Sequence, residues 1–451
     1  MEDPGREAPP GSDSGPPARP RPAGHSPGPR EARLVSRVVA LGDGLDPLDL
    51  AGEDGFAWCS PGGALVGTGL AARIPVGTGP GRIERAAETV AALLDAAQVD
   101  DPGGTGLGPA AVGALPFHPA TPGELVVPSL LVRTDPTGQA WAILTGPGPF
   151  DPPPAADLLV HLRRRAASDG TWPRAAHRLD TPGVPGGAGL AVWRAGVVAA
   201  LEAIGAGRLD KVVLAREAAV EAERPFPRAE LLRRLRRRPG GATFLYASGG
   251  LVGASPELLV RREGRVATSR PMAGTVPRGD SAAAEADGLA RLTGSTKEAV
   301  EHRLVVDAVA DGLAKVADRV QVGRPEVVRL ATVAHLATEI TAELTGPLPT
   351  ALELAGLLHP TPAVGGSPRD AALAAIAALE PFDRGCYAGP VGWVDRAGDG
   401  EWALALRCAT LDGRRAHLLA GAGIVPGSDP DTEWAETEYK LRAMLEVLLS
   451  P

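Results

Sequence analysis

Long apolar runs are missing from this sequence. Uncharged stretches such as residues 371–379 and 418–425 fall far short of the roughly 20 positions that a membrane-spanning helix needs, which excludes a helical membrane protein. The opening Met-Glu-Asp-Pro-Gly has neither the basic start nor the apolar middle of a secretory signal, so cytoplasmic residence is expected. Cysteine is scarce as well. Cys59, Cys386 and Cys408 are too few and too far apart for a disulfide framework, and none forms Cys-x-x-Cys, so free thiols are expected and structural zinc is not. A basic surface is also lacking. The net charge is −8, and positive side chains are scattered except at Arg233-Arg234-x-Arg236-Arg237-Arg238, which is expected to be a solvated helix face; no nucleic-acid footprint is visible. Lysine is the scarcest charged type: only Lys211, Lys297, Lys315 and Lys440 stand among 46 basic residues. That bias gives each lysine some extra weight as a site where ammonium chemistry, or a movable pKa, is needed.

What is present belongs to a large soluble chain: 451 residues, 44% hydrophobic and 22% charged, enough for a sizeable core. Residues 1–32 are Pro, Gly, Arg and Ser with almost nothing apolar to bury, and a disordered tail is expected there. Between residues 35 and 160 short apolar runs alternate with Gly/Pro turns, as in Phe56-Ala-Trp58, Leu130-Leu-Val132 and Ala140-Trp-Ala-Ile-Leu144. These predict strands, with one helix near residues 83–98. Pro-rich stretches at residues 147–154 and 181–187 are expected loops. Beyond them the pattern predicts helices near residues 190–206, 228–238, 296–316 and 432–449, with a strand from Lys211 to Arg216 and further strands from residue 244 to 271. Strands and helices come in blocks, which favours an α+β fold with largely antiparallel sheet.

Two Glu-x-x-Glu pairs, Glu298/Glu301 and Glu433/Glu436, each lie on one face near the start of a predicted helix. Carboxylates converging from two helices suit a hard cation such as Mg²⁺; acidic residues, with Ser295 and Glu298 as a capping box, are equally at home in any first turn. The run Leu358-His-Pro-Thr-Pro-Ala-Val-Gly-Gly-Ser-Pro368 predicts a rigid loop that lets backbone approach something closely. Ala420-Gly-Ala-Gly423 offers either an anion-binding backbone nest or a small-residue strand packed against a neighbour. Arg407, inside an apolar strand, needs a partner anion, either a bound ligand or a buried salt bridge.

Taken together, these motifs resemble the chorismate-utilising enzyme family, and within it the isochorismate synthase branch. The resemblance rests on Lys211-Val-Val-Leu-Ala-Arg216, Gly253-Ala-Ser-Pro-Glu-Leu-Leu259, Arg270-Pro-Met-Ala-Gly-Thr275, Lys297-Glu-Ala-Val-Glu-His302, His335-Leu-Ala-Thr338, the loop from His359 to Pro368, the segment from Glu380 to Trp393, and Ala420-Gly-Ala-Gly-Ile-Val425 through Lys440. Order and spacing agree over about 260 residues, from about 190 to 450; the first part matches only through its strand pattern and Gly113-Ala-Leu-Pro-Phe117. The resemblance implies one domain, residues 33–451, built on two large antiparallel sheets with helices outside. It implies Mg²⁺ bound by Glu301 and Glu436, with Glu298 and Glu433 holding its waters. It places Tyr387, Arg407 and Lys440, with backbone at Gly421 and Gly423, on the carboxylates of chorismate, and Gly274, Thr275 and His335 along its ring. Lys211 is implied as the base that activates water at C2, and Glu257 as the acid that protonates the departing C4 hydroxyl. These roles need a neutral lysine and a protonated glutamic acid, and burial favours both.

Ala363 stands where ammonia-using members such as anthranilate synthase typically carry threonine, and with Lys211 it argues for water as nucleophile. No amidotransferase partner is then expected. Salicylate synthase, which also uses the lysine and then eliminates pyruvate, is the alternative, with an ammonia-using anthranilate or aminodeoxychorismate synthase component further off. A catalytically silent binding homologue would lack the base, the acid or a carboxylate, and all are present.

Overall fold

Short Val-, Ala- and Leu-rich runs bounded by glycine turns pair into sheets in the computed structural model, which describes residues 33–52, 55–148, 150–166, 172–180, 189–238, 244–279 and 281–450. The expected N-terminal tail, and the expected loop at residues 181–187, lie outside the described residues. Among these residues there is one thirteen-stranded sheet, one nine-stranded sheet and a third of three strands. The resemblance implied only the two large sheets. The small one joins Met272–Pro277, Val333–Ala337 and Glu326–Arg329, and a register shift between Ala273 and Thr275 bends its first strand. Pairing is antiparallel except where Leu34–Gly42 meets Gln98–Asp100 in parallel.

The loosely matching first part is woven into both large sheets. Phe56–Ser60 pairs with Phe244–Ser248 in one, and Ala110–Ala114 pairs with Pro390–Asp395 in the other. Residues Arg33–Pro451 accordingly cluster as one compact unit. The two sheets share a core rich in Val, Leu and Ala, and a polar pin crosses it: Trp58 Nε1 and Ser60 Oγ donate to Glu401 Oε2 at 2.8 and 2.7 Å.

Nearly every expected element forms, with shifted ends. Lys211 begins a strand that runs to Ala222, twice the expected length, because Val212 through Glu221 pair residue by residue with Arg415–Ile424. The helix expected at 83–98 is Arg82–Asp95; Gln98 has already entered a strand. Helix Thr296–Ala314 starts on Ser295, whose Oγ accepts from Glu298 N. Helix Pro430–Leu449 starts on Asp429 with Pro430 in its first turn, and Glu433, Thr437, Leu441, Met444, Leu445 and Leu448 form its buried stripe. The arginine run, expected to be a solvated face, is exposed at Arg236 and Arg237, and several of its side chains are also tied down. Arg236 pairs with Asp46, Arg233 with Asp49 and Glu230, and Arg234 stacks over Trp172. All three cysteines are free, and among the described residues no helix is long and apolar enough to cross a membrane.

Candidate active site

Lys211 is the first residue of the long strand Lys211–Ala222, fixed there by pairing with Ser367 at the end of the Pro/Gly loop. It is 1% exposed, and its Nζ donates to Glu301 Oε1 at 2.8 Å. The strand beside it explains how a lysine and a glutamate fit. A Cβ on Gly423 would come within 2.6 Å of Glu301 Oε1 and 3.0 Å of Lys211 Cε, so only glycine lets the ion pair lie against the sheet. Ala420 to Gly423 therefore form a small-residue strand; of the two alternatives, the nest is not what the backbone adopts. Lys440 Nζ donates to the Gly421 carbonyl at 2.9 Å and pairs with Glu436 at 2.6 Å.

Glu257 follows strand Leu251–Ser255 after one proline. It is 4% exposed, and its Oε1 receives only a long hydrogen bond from Met272 N at 3.4 Å. Burial pushes its carboxyl up to about 7, against the lowering effects of the Met272 N–H, Lys211, Arg407 and Lys440. Near neutral pH this side chain can hold a proton or release one.

On the cationic side, Arg407 Nη2 lies 3.2 Å from His335 Nε2, while His335 Nδ1 lies 3.1 Å from the Gly274 carbonyl. A guanidinium can only donate and a carbonyl can only accept, so the imidazole carries its proton on Nδ1. Burial, with Arg407 and Lys440 nearby, drives the His335 pKa well below the usual histidine range, and the ring is neutral. Tyr387 is pushed by burial to about 12 and keeps its phenolic proton.

The four glutamates gather at the start of the two helices, but three lysines hold them: Lys211 on Glu301, Lys297 on Glu433 and Lys440 on Glu436. Glu298 does not complete the expected capping box; its Oε2 accepts instead from Thr275 N, at 3.0 Å, where the chain turns through Gly274 at φ +75°. Burial and the neighbouring carboxylates Glu301 and Glu436 push Glu298 up to about 7, and Glu433 is raised by burial and Glu436. Glu301 shows the opposite balance: burial acts to raise it, but Lys211 brings it below its ordinary value. Among the described residues no three acidic, histidine or cysteine side chains converge tightly enough to hold an ion in this arrangement. The donor set is nonetheless all carboxylate oxygen, and its mutual repulsion is what a divalent cation relieves, so these residues fit Mg²⁺.

Most of the sequence-predicted residues line one tight cavity of about 60 Å³, smaller than the usual ~300–1,000 Å³ of small-molecule sites, so its walls must part to admit a ring-sized ligand. Glu257, Gly274, Thr275, Glu301, His335, Ala363, Tyr387, Arg407, Gly421, Gly423 and Lys440 are all on its wall. Lys211 adjoins it through Glu301, and Glu436 through Lys440. Glu298 sits behind Thr275, and Glu433 stands furthest back, on Lys297. Sequence reasoning missed the apolar lining of Val213, Met272 and Leu406, and missed Arg384. Arg384 donates to the Val213 and Val364 carbonyls at 2.7 and 2.8 Å and pairs with Glu380, so it fastens the Ala363 loop to the lysine strand. Its only sequence signal was its place in the Glu380-Pro-Phe-Asp-Arg384 motif.

With the site's geometry established, similarity to known proteins gives it a family. Residues 155–449 match the family described as chorismate binding enzyme. The chain is 36% identical over 404 residues to isochorismate synthase DhbC of Bacillus subtilis (strain 168), covering 87% of this chain and 93% of that protein. The structure of a putative 2,3-dihydroxybenzoate-specific isochorismate synthase, DhbC from Bacillus anthracis, superposes with a TM-score of 0.72 at 32% identity, over 88% of this chain and 96% of that one. That of MenF, the menaquinone-specific isochorismate synthase from Escherichia coli, gives 0.73 at 26% identity, over 92% and 95%. Matches of this length and identity make the chain a member of the chorismate-binding enzyme family.

Proposed function

We propose that the protein is an isochorismate synthase, an isomerase that adds water at C2 of chorismate and expels the C4 hydroxyl. The observation that carries this is a buried carboxyl pushed up to about 7, Glu257, on the wall of a cavity that a buried lysine, Lys211, adjoins through Glu301, beside cationic groups suited to a dianion. Arg407 and Lys440 attract the two carboxylates, and the protonated Tyr387 adds a hydrogen-bond donor. Lys211 takes a proton from the water that attacks C2. The ring double bonds migrate, and Glu257 delivers its proton to the C4 oxygen, so that hydroxide, a poor leaving group, departs as water. One water enters and one leaves; substrate and product are isomers.

Mg²⁺, held by Glu301 and Glu436 directly and through water by Glu298 and Glu433, would supply a positive charge for the ring carboxylate. With Glu301 engaged in that way, Lys211 would be released from the ion pair it makes here and be available as the base. Ala363 borders the cavity without a hydroxyl, and leaves the nucleophile's place to water. The test is product analysis by chromatography after incubating the protein with chorismate and Mg²⁺. Isochorismate as the product supports the assignment; salicylate, an aminated ring in ammonium salts, or unchanged chorismate refutes it.

A further inference from the structure

Arg407 has a left-handed backbone, φ +49°, one of two non-glycine residues with positive φ among the described residues. That conformation is uncommon for a residue with a Cβ and persists only where the surroundings impose it. Three groups impose it here. The Arg407 carbonyl accepts from Ala254 N at 3.1 Å, and its guanidinium reaches the neutral His335. The third is Tyr246, whose hydroxyl donates to the carbonyl of the preceding residue, Leu406, at 2.8 Å.

Tyr246 sits in strand Phe244–Ser248, opposite Gly253, and its ring lies over that glycine. A Cβ on Gly253 would come within 2.6 Å of both Tyr246 Cζ and Cys408 Cβ, so the glycine opening the Gly253-Ala-Ser-Pro-Glu257 motif makes room for the tyrosine to cross to Leu406. The side chain is fully buried and absent from the cavity wall. Apolar packing alone would be served by phenylalanine; a buried phenol oxygen requires a partner, and this one donates to the peptide that leads into Arg407, with the Cys408 thiol as a second hydrogen-bonding neighbour.

We propose that Tyr246 is a positioning residue: its hydroxyl fixes the Leu406–Arg407 peptide and thereby holds the Arg407 guanidinium where a substrate carboxylate is bound. This rests on the assignment of Arg407 as a carboxylate site for chorismate. Tyr246 and His335 divide the work, one holding the backbone of Arg407 and the other its side-chain tip.

The test is a double-mutant cycle in steady-state kinetics with chorismate and saturating Mg²⁺. Tyr246→Phe keeps the ring and removes one oxygen, and should raise KM roughly 5- to 30-fold, the cost of one buried hydrogen bond, with kcat little changed. In the Arg407→Ala background the same substitution should change KM less than twofold, because the group it positions is gone. An unchanged KM in Tyr246→Phe, with a raised one in Arg407→Ala, overturns the proposal and leaves the carboxylate site standing. An equal rise in both backgrounds also overturns it, since Tyr246 then acts through something other than Arg407. A parental KM in Arg407→Ala overturns both the carboxylate site and the proposal built on it. Should Tyr246→Phe not fold, the hydroxyl proton of Tyr246 in the parent is followed by NMR. Slow exchange, with a shift on binding chorismate, supports the clamp, and free exchange with solvent overturns it.

Discussion

Replacing Glu257 by glutamine separates two consequences of burying one carboxyl. Shape and the Met272 contact are kept, but glutamine cannot deliver a proton to the leaving hydroxyl. General acid catalysis contributes about 10²- to 10⁴-fold, so turnover should fall by that much while the KM for chorismate changes little. The parent's kcat/KM should lose a descending limb's worth of activity above the Glu257 pKa, about 7 in the metal-free protein, at close to tenfold per pH unit. In the variant that limb should be absent. Stability should move the other way. Glu257 is raised from its ordinary 4.5 to about 7, so the folded state resists its ionisation. A raised pKa gives stability that is complete below about 4.5 and lost as the pH climbs through 7. The shift corresponds to roughly 3 kcal/mol at most, by about 1.4 kcal/mol per pH unit. Chemical denaturation in EDTA at pH 5 and pH 8 should show Glu257→Gln gaining on the parent at the higher pH. Turnover within a few-fold of the parent would remove Glu257 from the acid role. A stability difference that is flat with pH would mean its carboxyl is not raised at all.

Glu301→Gln and Glu436→Gln should each abolish turnover, as should EDTA on the parent. Because Glu298 sits near 7 beside Glu301 and Glu436, Mg²⁺ binding near pH 7 should also release protons, measurable by calorimetry in buffers of different ionisation enthalpy; undiminished turnover in EDTA refutes the metal assignment. Lys211→Ala should lose isochorismate formation yet still bind chorismate when Mg²⁺ is present, since Arg407 and Lys440 remain. A parental rate from it, or a mainly aminated product in ammonium salts, refutes water activation by this lysine. Glu401→Ala leaves Trp58 Nε1 and Ser60 Oγ without their shared acceptor between the sheets, and should cost about 1–3 kcal/mol per stranded donor in urea unfolding, with kcat unchanged if the protein is assayed folded.

Local patterns made the elements of this fold visible in advance, while its assembly was not. The Lys211–Ala222 strand and the helices at 296 and 430 follow from apolar runs, caps and spacing that neighbours in sequence determine. The pairing of Ala110–Ala114 with Pro390–Asp395 joins segments about 280 positions apart, and no periodicity in either names the other. The third sheet escaped for a related reason. Met272–Pro277 joins the small sheet from its first residue, directly after Pro271 ends the preceding strand, and then bulges at Gly274; neither a proline nor a glycine in an apolar run says which strand the chain will meet next. The same limit applied within the site. Glu298 was predicted from its place in a helix turn, but its hydrogen bond to Thr275 depends on that bend; Arg384 touches three separate segments, and an arginine in a loop motif carries no mark of them.

The scarcity of lysine acquires a physical meaning once these contacts are known. Three of the four lysines meet three of the four site glutamates, and among the described residues no arginine takes that place. A guanidinium is always charged and locks a carboxylate in a two-pronged grip, whereas an ammonium is a single compact charge that can give up its proton. In the proposed reaction, carboxylates that exchange an internal partner for a divalent cation, beside a base that works uncharged, are better served by the weaker and more adaptable cation. Where rigid anion recognition is needed instead, the chain places Arg407, and fixes it with Tyr246 behind and His335 in front. The two kinds of cation thus divide the cavity into a part built to change partners and a part built to stay still, as an isomerisation that moves protons around a fixed dianion requires.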